Sequence, residues 1–282
     1  MELLKNQFLF NAKDHLVSGK TFPVYWDEQH QLAYTDLETM DPSVNYYEST
    51  EYASHKKQRK GVVDFFYGSA QKVMFYLKWK LLNVRSNSQE TVLDVGAGVG
   101  EFASYLKAKG IDVTGVENNA KAGAICLERG LKVYKQISEI PQTKDFKAIT
   151  LWHVLEHLPD PVGVASRLHS LLQNDGLLVI AVPNFRSHDA KYYKADWAAL
   201  DVPRHLWHFT PQALVGLLEK AGYVLVKTAP MWFDAIYVAY LSEKQKGRKL
   251  PLLKGGIKGC YFNVKALFSG QYSSKIYSFK KA

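Results

Sequence analysis

Three glycines at every second position, Gly96, Gly98 and Gly100, lie between Asp94 and a second acid, Glu117. Glycines at this spacing let the backbone turn tightly and approach a ligand with no Cβ in the way, and a helix starting just after them offers free N–H groups. Glu117 follows Asp94 by 23 positions, close to the ~20-residue interval at which nucleotide-binding folds place an acid for ribose hydroxyls. The chemistry is that of a nucleotide-type cofactor. A dinucleotide fingerprint, G-x-G-x-x-G, would need a glycine where this chain has Glu101, so NAD is disfavoured. A second reactive group is His153, Glu156 and His157, which on a helical turn share one face and converge on one point. His157, as an imidazole, is a candidate general base. A third is the run Pro203-Arg204-His205-Leu206-Trp207-His208-Phe209. Arg204 is suited to pair with an anionic group on an acceptor, and His205 or His208 to take its proton. The same run reads equally well as an ordered core-packing turn.

Positioning these residues requires short buried strands that end where the reactive residues begin. The apolar, β-branched runs 91–95, 111–116, 131–134, 146–151 and 177–182 have that character. Helical patterns at 101–109, 118–129 and 162–172 separate them, and Thr210-Pro211 caps a helix that runs to Lys220. Strands are also expected at 223–229 and 273–279. This alternation implies right-handed crossovers and a parallel sheet with the ligand at the C-terminal edge of its strands. Asp94, Glu117, His153 and Asn184 all fall on that edge. The long aromatic, histidine-rich segment 185–209 has the length of a binding loop, and is taken as the acceptor-binding wall.

The run Asp94-Val95-Gly96-Ala97-Gly98-Val99-Gly100 resembles the first motif of the class I S-adenosylmethionine-dependent methyltransferases, and Val113-Thr114-Gly115-Val116-Glu117 resembles their second. The resemblance implies S-adenosylmethionine as cofactor. It places Asp94 near the methionine amine, the turn Gly96, Ala97, Gly98 and Gly100 under the cofactor, and Glu117 on the ribose hydroxyls with Asn118 beside it. Ile137 and Ser138, just after the third strand, would flank the adenine, and His153 would line the cofactor pocket. Residues 152–161 resemble the segment after strand four in ubiquinone-biosynthesis O-methyltransferases and small-RNA 2′-O-methyltransferases, where Glu-x-x-Glu-His binds a divalent cation. Here His153 stands in place of the first Glu, and Mg²⁺ favours oxygen donors, so no metal is assigned. His157, His205 and His208 are the candidate catalytic bases.

The family implies an α/β, Rossmann-like, seven-stranded and mostly parallel sheet with helices on both faces, its last strand antiparallel beside the sixth. The domain would span 90–282 with an insertion at 232–271 containing helices near 234–243 and 257–268. Residues 61–89 would be a connecting helix and loop. Residues 1–60 are expected to form a separate small β-rich lobe, with strands at 22–26 and 31–35 around a turn at 27–30. That lobe resembles the zinc-ribbon-like lobe of some bacterial methyltransferases, but it has no cysteine near Asp27 and His30, and a metal-free vestige is expected. The aromatic stretch 45–55 reads as a cover for a substrate cleft or as a packing linker.

At 282 residues and 47% hydrophobic, the chain can bury a substantial core. No apolar run approaches the ~20 residues of a membrane span, and no secretion signal is recognisable, so the cytoplasm is expected. Cys126 and Cys260 alone supply no disulfide framework. The net charge of +9 is spread in clusters at 55–60, 244–249 and Lys280-Lys281, which favours a solvated surface over a polyanionic partner. The composite reading is a methyltransferase acting on an oxygen or nitrogen of a small-molecule, sugar or lipid acceptor. Its rivals are an RNA methyltransferase and a non-catalytic cofactor-binding module that docks a partner protein.

Overall fold

A computed structural model describes residues 7–46, 62–143 and 145–282, without the side chains of 62–70. Beyond Tyr46, the tyrosine-rich stretch 45–55 lies outside them, as do the side chains at the start of the connecting helix.

Eleven strands are described, in two sheets. The larger has the order β10-β11-β8-β7-β4-β5-β6, built from β4 (Thr91–Val95), β5 (Asp112–Val116), β6 (Lys132–Tyr134), β7 (Phe146–Trp152), β8 (Leu172–Pro183), β10 (Tyr223–Pro230) and β11 (Ser274–Lys281). β11 runs antiparallel to both of its neighbours, while β4 to β8 pair in parallel. These are the seven strands and the single reversed strand that the motifs imply. Parallel strands covered on both faces read as continuous apolar runs. Four consecutive residues of β7, Ala148 to Leu151, are buried accordingly. The two faces carry separate cores, one including Leu93, Ile149, Leu178 and Ile180, the other Val92, Ala148, Val179 and Ala181. That split is the period of two of a strand written across the sheet.

Helices α1 (Val62–Leu81), α2 (Glu101–Ala108), α3 (Ala120–Glu128), α4 (Pro161–Leu171), α5 (His188–Tyr193), α6 (Pro211–Lys220), α7 (Trp232–Gln245) and α8 (Pro251–Ser269) complete the described helices. The α7–α8 hairpin is longer than the sequence pattern suggests. Three glycines in α8 lower its helix propensity, yet two of them are packing residues. A Cβ on Gly255 would stand 2.3 Å from Tyr240 Cα, and one on Gly259 2.4 Å from Ile236 Cα, so the helices touch backbone to backbone.

The smaller sheet has the order β1-β2-β3-β9, from β1 (Gln7–Lys13), β2 (Thr21–Asp27), β3 (Leu32–Thr35) and the two-residue β9 (Trp207–His208). Pairing of Tyr34 with Trp207 joins the N-terminal strands to the segment that follows β8. Leu32 and Tyr34 belong to the same core as β4 and β7. Thr210 ties the two regions further: its hydroxyl caps α6 by accepting from Ala213 N at 3.1 Å and donates to Gln31 O at 2.7 Å. At the turn expected to echo a zinc ribbon, Asp27 instead accepts from His30 N and from its ring Nδ1 at 2.8 Å.

Candidate cofactor and acceptor site

The ends of β4, β5 and β7 are level, because Val95 pairs with Val116 on one side and Leu151 on the other. The chain therefore leaves the sheet at three adjacent points, one strand spacing or about 4.8 Å apart. From β4 it enters the glycine turn. Gly96 N and Ala97 N both donate to Val116 O, at 2.8 and 3.0 Å. Gly98 N donates to Glu117 Oε2 at 2.8 Å, and Asn119 N to Glu117 Oε1 at 2.8 Å. The acid from the end of β5 thus shapes the turn that it faces. Gly96 has φ 70°, and an added Cβ would meet Val154 Cγ2 at 2.3 Å. Gly98 has φ 56°, but nothing lies within 4 Å of its would-be Cβ. Gly96 is held by packing, whereas Gly98 opens onto a space a ligand can fill. Gly100 is the N-cap of α2, with no side-chain cap.

Asp94 is 3% exposed and accepts from Thr150 Oγ1 at 2.6 Å. Burial lifts its pKa to about 6, against the Thr150 hydrogen bond and the charge of Lys78, while Glu117 pushes the same way as burial. Lys78, from α1, lies 4.2 Å from the Trp152 ring centroid. Burial lowers its pKa, opposed by the charges of Asp94 and Asp234. Asn118 is exposed, and the cap of α3 is its neighbour Asn119. Ile137 packs half-buried on the core, and the Ser138 hydroxyl donates to Gln136. Both line an open groove of about 730 Å³ that Gly163 and Arg167 border.

From β7 the chain delivers His153, whose backbone N–H donates to Ala181 O at 2.9 Å. His153 has φ 55°, and the 3-10 turn begins only at Leu155. His153, Glu156 and His157 therefore do not share a helix face, contrary to expectation. His153 Nδ1 still reaches Glu156 Oε1 at 3.4 Å, and its Nε2 lies 3.1 Å from Asp234 Oδ2. Burial pulls the imidazole pKa down, but the two carboxylates outweigh it and raise it to about 10. About a third of the side chain is open to solvent. Glu156 is 1% exposed. Burial works against its ionisation, yet His153, His205 and His157 hold its pKa below the usual value.

The other histidines face inward. His157 Nδ1 donates to Arg204 O at 3.0 Å, and burial together with the neighbouring His205 lowers its pKa to about 4. His205 Nδ1 donates to Ala199 O at 2.9 Å, and its ring meets that of His157 at 4.5 Å. His208, on β9, is 4% exposed and bonds Thr35 Oγ1 through Nε2 at 3.0 Å. Since that hydroxyl donates to His205 O, it accepts from His208. Burial first, then the charge of His205, brings the His208 pKa to about 3. Its ring is thus a buried, weakly basic part of the small sheet, which argues against the expected role as a base. Arg204 is corrected as well. At 2% exposure it donates to Asp14 at 3.2 Å and Asp201 at 2.6 Å, so its charge is spent inside the protein rather than on an acceptor anion.

Thr150, Lys78 and Asp234 escaped sequence reasoning. Thr150 sits mid-strand among apolar residues, and Lys78 and Asp234 belong to helices far from the motifs with no spacing that ties them to Asp94 or His153. Among the described residues, no group of three or more His, Cys, Asp or Glu is placed to hold a metal ion.

Comparison with known proteins adds an independent line. A family model described as a methyltransferase domain matches residues 66–228. A ubiquinone biosynthesis O-methyltransferase of Nitrosomonas europaea is 26% identical over 171 residues, covering 55% of this chain and 73% of that protein. One from Pseudomonas paraeruginosa is 32% identical over 104 residues, covering 34% of this chain and 45% of that protein. Among solved structures, magnesium protoporphyrin IX methyltransferase from Synechocystis with bound S-adenosylhomocysteine superposes with a TM-score of 0.53 at 14% identity, covering 84% of this chain and 97% of that one. A cyclopropane synthase from Mycobacterium tuberculosis gives 0.52 at 15% identity, covering 74% and 83%. These structural likenesses speak for the fold alone.

Proposed function

The chain belongs to the methyltransferase domain family, as a class I S-adenosylmethionine-dependent methyltransferase; from that premise we propose that it methylates an oxygen or nitrogen atom of a small-molecule acceptor. The observation that carries this reading is the placement of His153 and Asp234 one strand away from the glycine turn. The relatives, O-methyltransferases of ubiquinone biosynthesis, favour an oxygen nucleophile.

The residues present fit the cofactor. The turn is open to a ligand's approach at Gly98, Glu117 retains carboxylate lone pairs for ribose hydroxyls, and the Asp94 carboxylate suits the methionine amine. Gly96, Ala97 and Gly100 shape the turn, with Asn118, Ile137 and Ser138 on the adenine side. Bound S-adenosylmethionine supplies a methyl group on positively charged sulfur, already activated toward in-line attack. The protein's work is then alignment and exclusion of water. His153, charged at neutral pH with its two ring nitrogens facing Glu156 and Asp234, orients the Asp234 carboxylate and cannot take the acceptor's proton. Asp234 Oδ2, beside it, takes that proton as the nucleophile attacks. This pair is preferred to His157, His205 and His208 because it is the more open to solvent: about a third of the His153 side chain is exposed, while His205 and His208 are buried and His157 is held on Arg204 O.

Calorimetric titration with S-adenosylhomocysteine, with NAD as control, tests the cofactor half. Micromolar binding of the first and none of the second is expected, and the reverse order overturns the reading. A methyl-transfer assay against hydroxyl and amine acceptors tests the rest. Asp234→Asn is expected to lower kcat with S-adenosylhomocysteine affinity retained, whereas His157→Ala, His205→Ala and His208→Ala are expected to keep kcat per folded molecule.

A further inference from the structure

The chain's positive charge is not evenly distributed. Of its 36 Lys and Arg, ten follow Glu243, and none of its 27 Asp and Glu does. The first 243 residues are therefore almost neutral; of the ten, seven lie between Lys244 and Lys265, at the end of α7, in the connection and in α8, and three lie in β11. The same helix exposes apolar side chains in a row. Leu253, Ile257, Tyr261, Val264 and Phe268 recur at intervals of three and four and are all exposed, Phe268 to 89%. The opposite face, Gly255, Gly259, Phe262 and Ala266, is buried against the neighbouring helices. α8 thus has two apolar faces, and only one is covered. Exposed Lys254 and Lys265 border the uncovered stripe, with Arg248 and Lys249 just before the helix. Trp232, Phe233 and Tyr237 of α7 add exposed aromatic surface to the same hairpin.

We propose that the α7–α8 hairpin docks on an anionic lipid bilayer, with the exposed stripe of α8 in the boundary between headgroups and acyl chains and its lysines on the lipid phosphates. A helix with an apolar stripe bordered by Lys and Arg lies in the plane of the membrane surface. No described helix is long and apolar enough to cross one. Charge decides among the possible occupants. A second copy of this chain would set the cationic border of one stripe, Arg248, Lys249, Lys254 and Lys265, against that of another. Nucleic acid would satisfy the lysines while leaving the stripe in water. An anionic bilayer matches both.

The test is flotation of the full chain with vesicles of phosphatidylcholine alone or mixed with phosphatidylglycerol. The protein is expected to float with the anionic vesicles only. Each basic residue at such a surface contributes about a fivefold gain, so Lys254→Glu with Lys265→Glu is expected to weaken binding by at least about tenfold. Ile257→Asp with Phe268→Asp is expected to abolish flotation. Ile257→Ser with Phe268→Ser, a milder pair, is expected to reduce it, and unchanged thermal melting shows that each variant is folded. Failure of the wild type to float overturns the proposal. So does equal flotation with neutral vesicles, or binding that survives both apolar substitutions, which is the behaviour of a purely electrostatic surface for an acidic protein or nucleic acid. A dimer that Ile257→Asp dissociates, without flotation, assigns the stripe to a second copy instead. The outcome is independent of methyl transfer.

Discussion

Two ionic clusters built from similar residues meet near the end of β7, and they treat solvent in opposite ways. In one, His153 is clamped between Glu156 and Asp234 with about a third of its side chain open. In the other, Arg204 is closed between Asp14 and Asp201 at 2% exposure. They are neighbours, since Leu206 N donates to Glu156 O at 2.8 Å. The first can present a charge to a substrate, while the second can only join parts of the fold. Arg204 spans the hairpin after β1, the carbonyl of Tyr46 and the loop before β9. The contrast shows that residue type alone does not assign a role here.

The sharpest way to break the contrast is to remove the closed cation. Arg204→Ala leaves Asp14 buried without its charged partner, and losing one member of such a pair costs about 3–5 kcal/mol. A large fall in thermal midpoint is expected, with S-adenosylhomocysteine affinity per folded molecule unchanged. A wild-type midpoint would show that the cluster is not structural. Glu117→Ala is expected to do the converse. It removes the acceptor for Gly98 N and Asn119 N and the group offered to the ribose. Cofactor affinity is expected to fall by about 10- to 100-fold, the equivalent of one or two charge-assisted hydrogen bonds, with a smaller stability loss. Equal losses in both quantities would make Glu117 a turn-shaping residue only.

The part of the site that was readable from sequence is the part in which backbone geometry restricts residue type. Gly96 and Gly98 occupy positive φ, so the residues themselves announce the turn. The buried parallel strands announce themselves by apolar runs. His153 occupies positive φ without being Gly or Asn, so its spacing to Glu156 and His157 suggests a helical turn where the backbone in fact bends. Arg204 and His208 looked like acceptor-binding residues because their partners, Asp14 and Thr35, come from elements some 170 to 190 residues earlier. The edge strands β1 and β9 are not legible in the sequence for a related reason. β1 buries only Ala12 fully and exposes Phe8, and β9 is two residues long. Neither carries the alternation that marks a strand.

Two smaller effects refine the open side of the comparison, and both pass through Asp94. Its folded pKa of about 6 lies above the ordinary value of 3.8, so the fold disfavours the carboxylate. The resulting stability cost is absent below about pH 3.8 and complete above about pH 6. A cofactor amine favours the carboxylate instead. Affinity for S-adenosylhomocysteine is therefore expected to be level above pH 6 and to weaken by up to about tenfold per unit below it. Asp94→Asn is expected to flatten that profile. A wild-type profile flat between pH 5 and 7 would remove Asp94 from the amine site.

Thr150→Val is expected to move the same profile only slightly. The hydroxyl donates to Asp94 Oδ1 at 2.6 Å and so favours the charged form. Without it the pH midpoint of binding is expected to rise above 6, because the buried carboxylate loses the hydrogen bond that opposes its desolvation. Affinity would fall severalfold near the midpoint and return to the wild-type value at pH 8. The lost bond costs stability by about 1 kcal/mol. A midpoint that moves down instead would mean that Thr150 holds Asp94 in its protonated form, and the charge on the open side of the sheet edge would then rest with Glu117, His153 and Asp234.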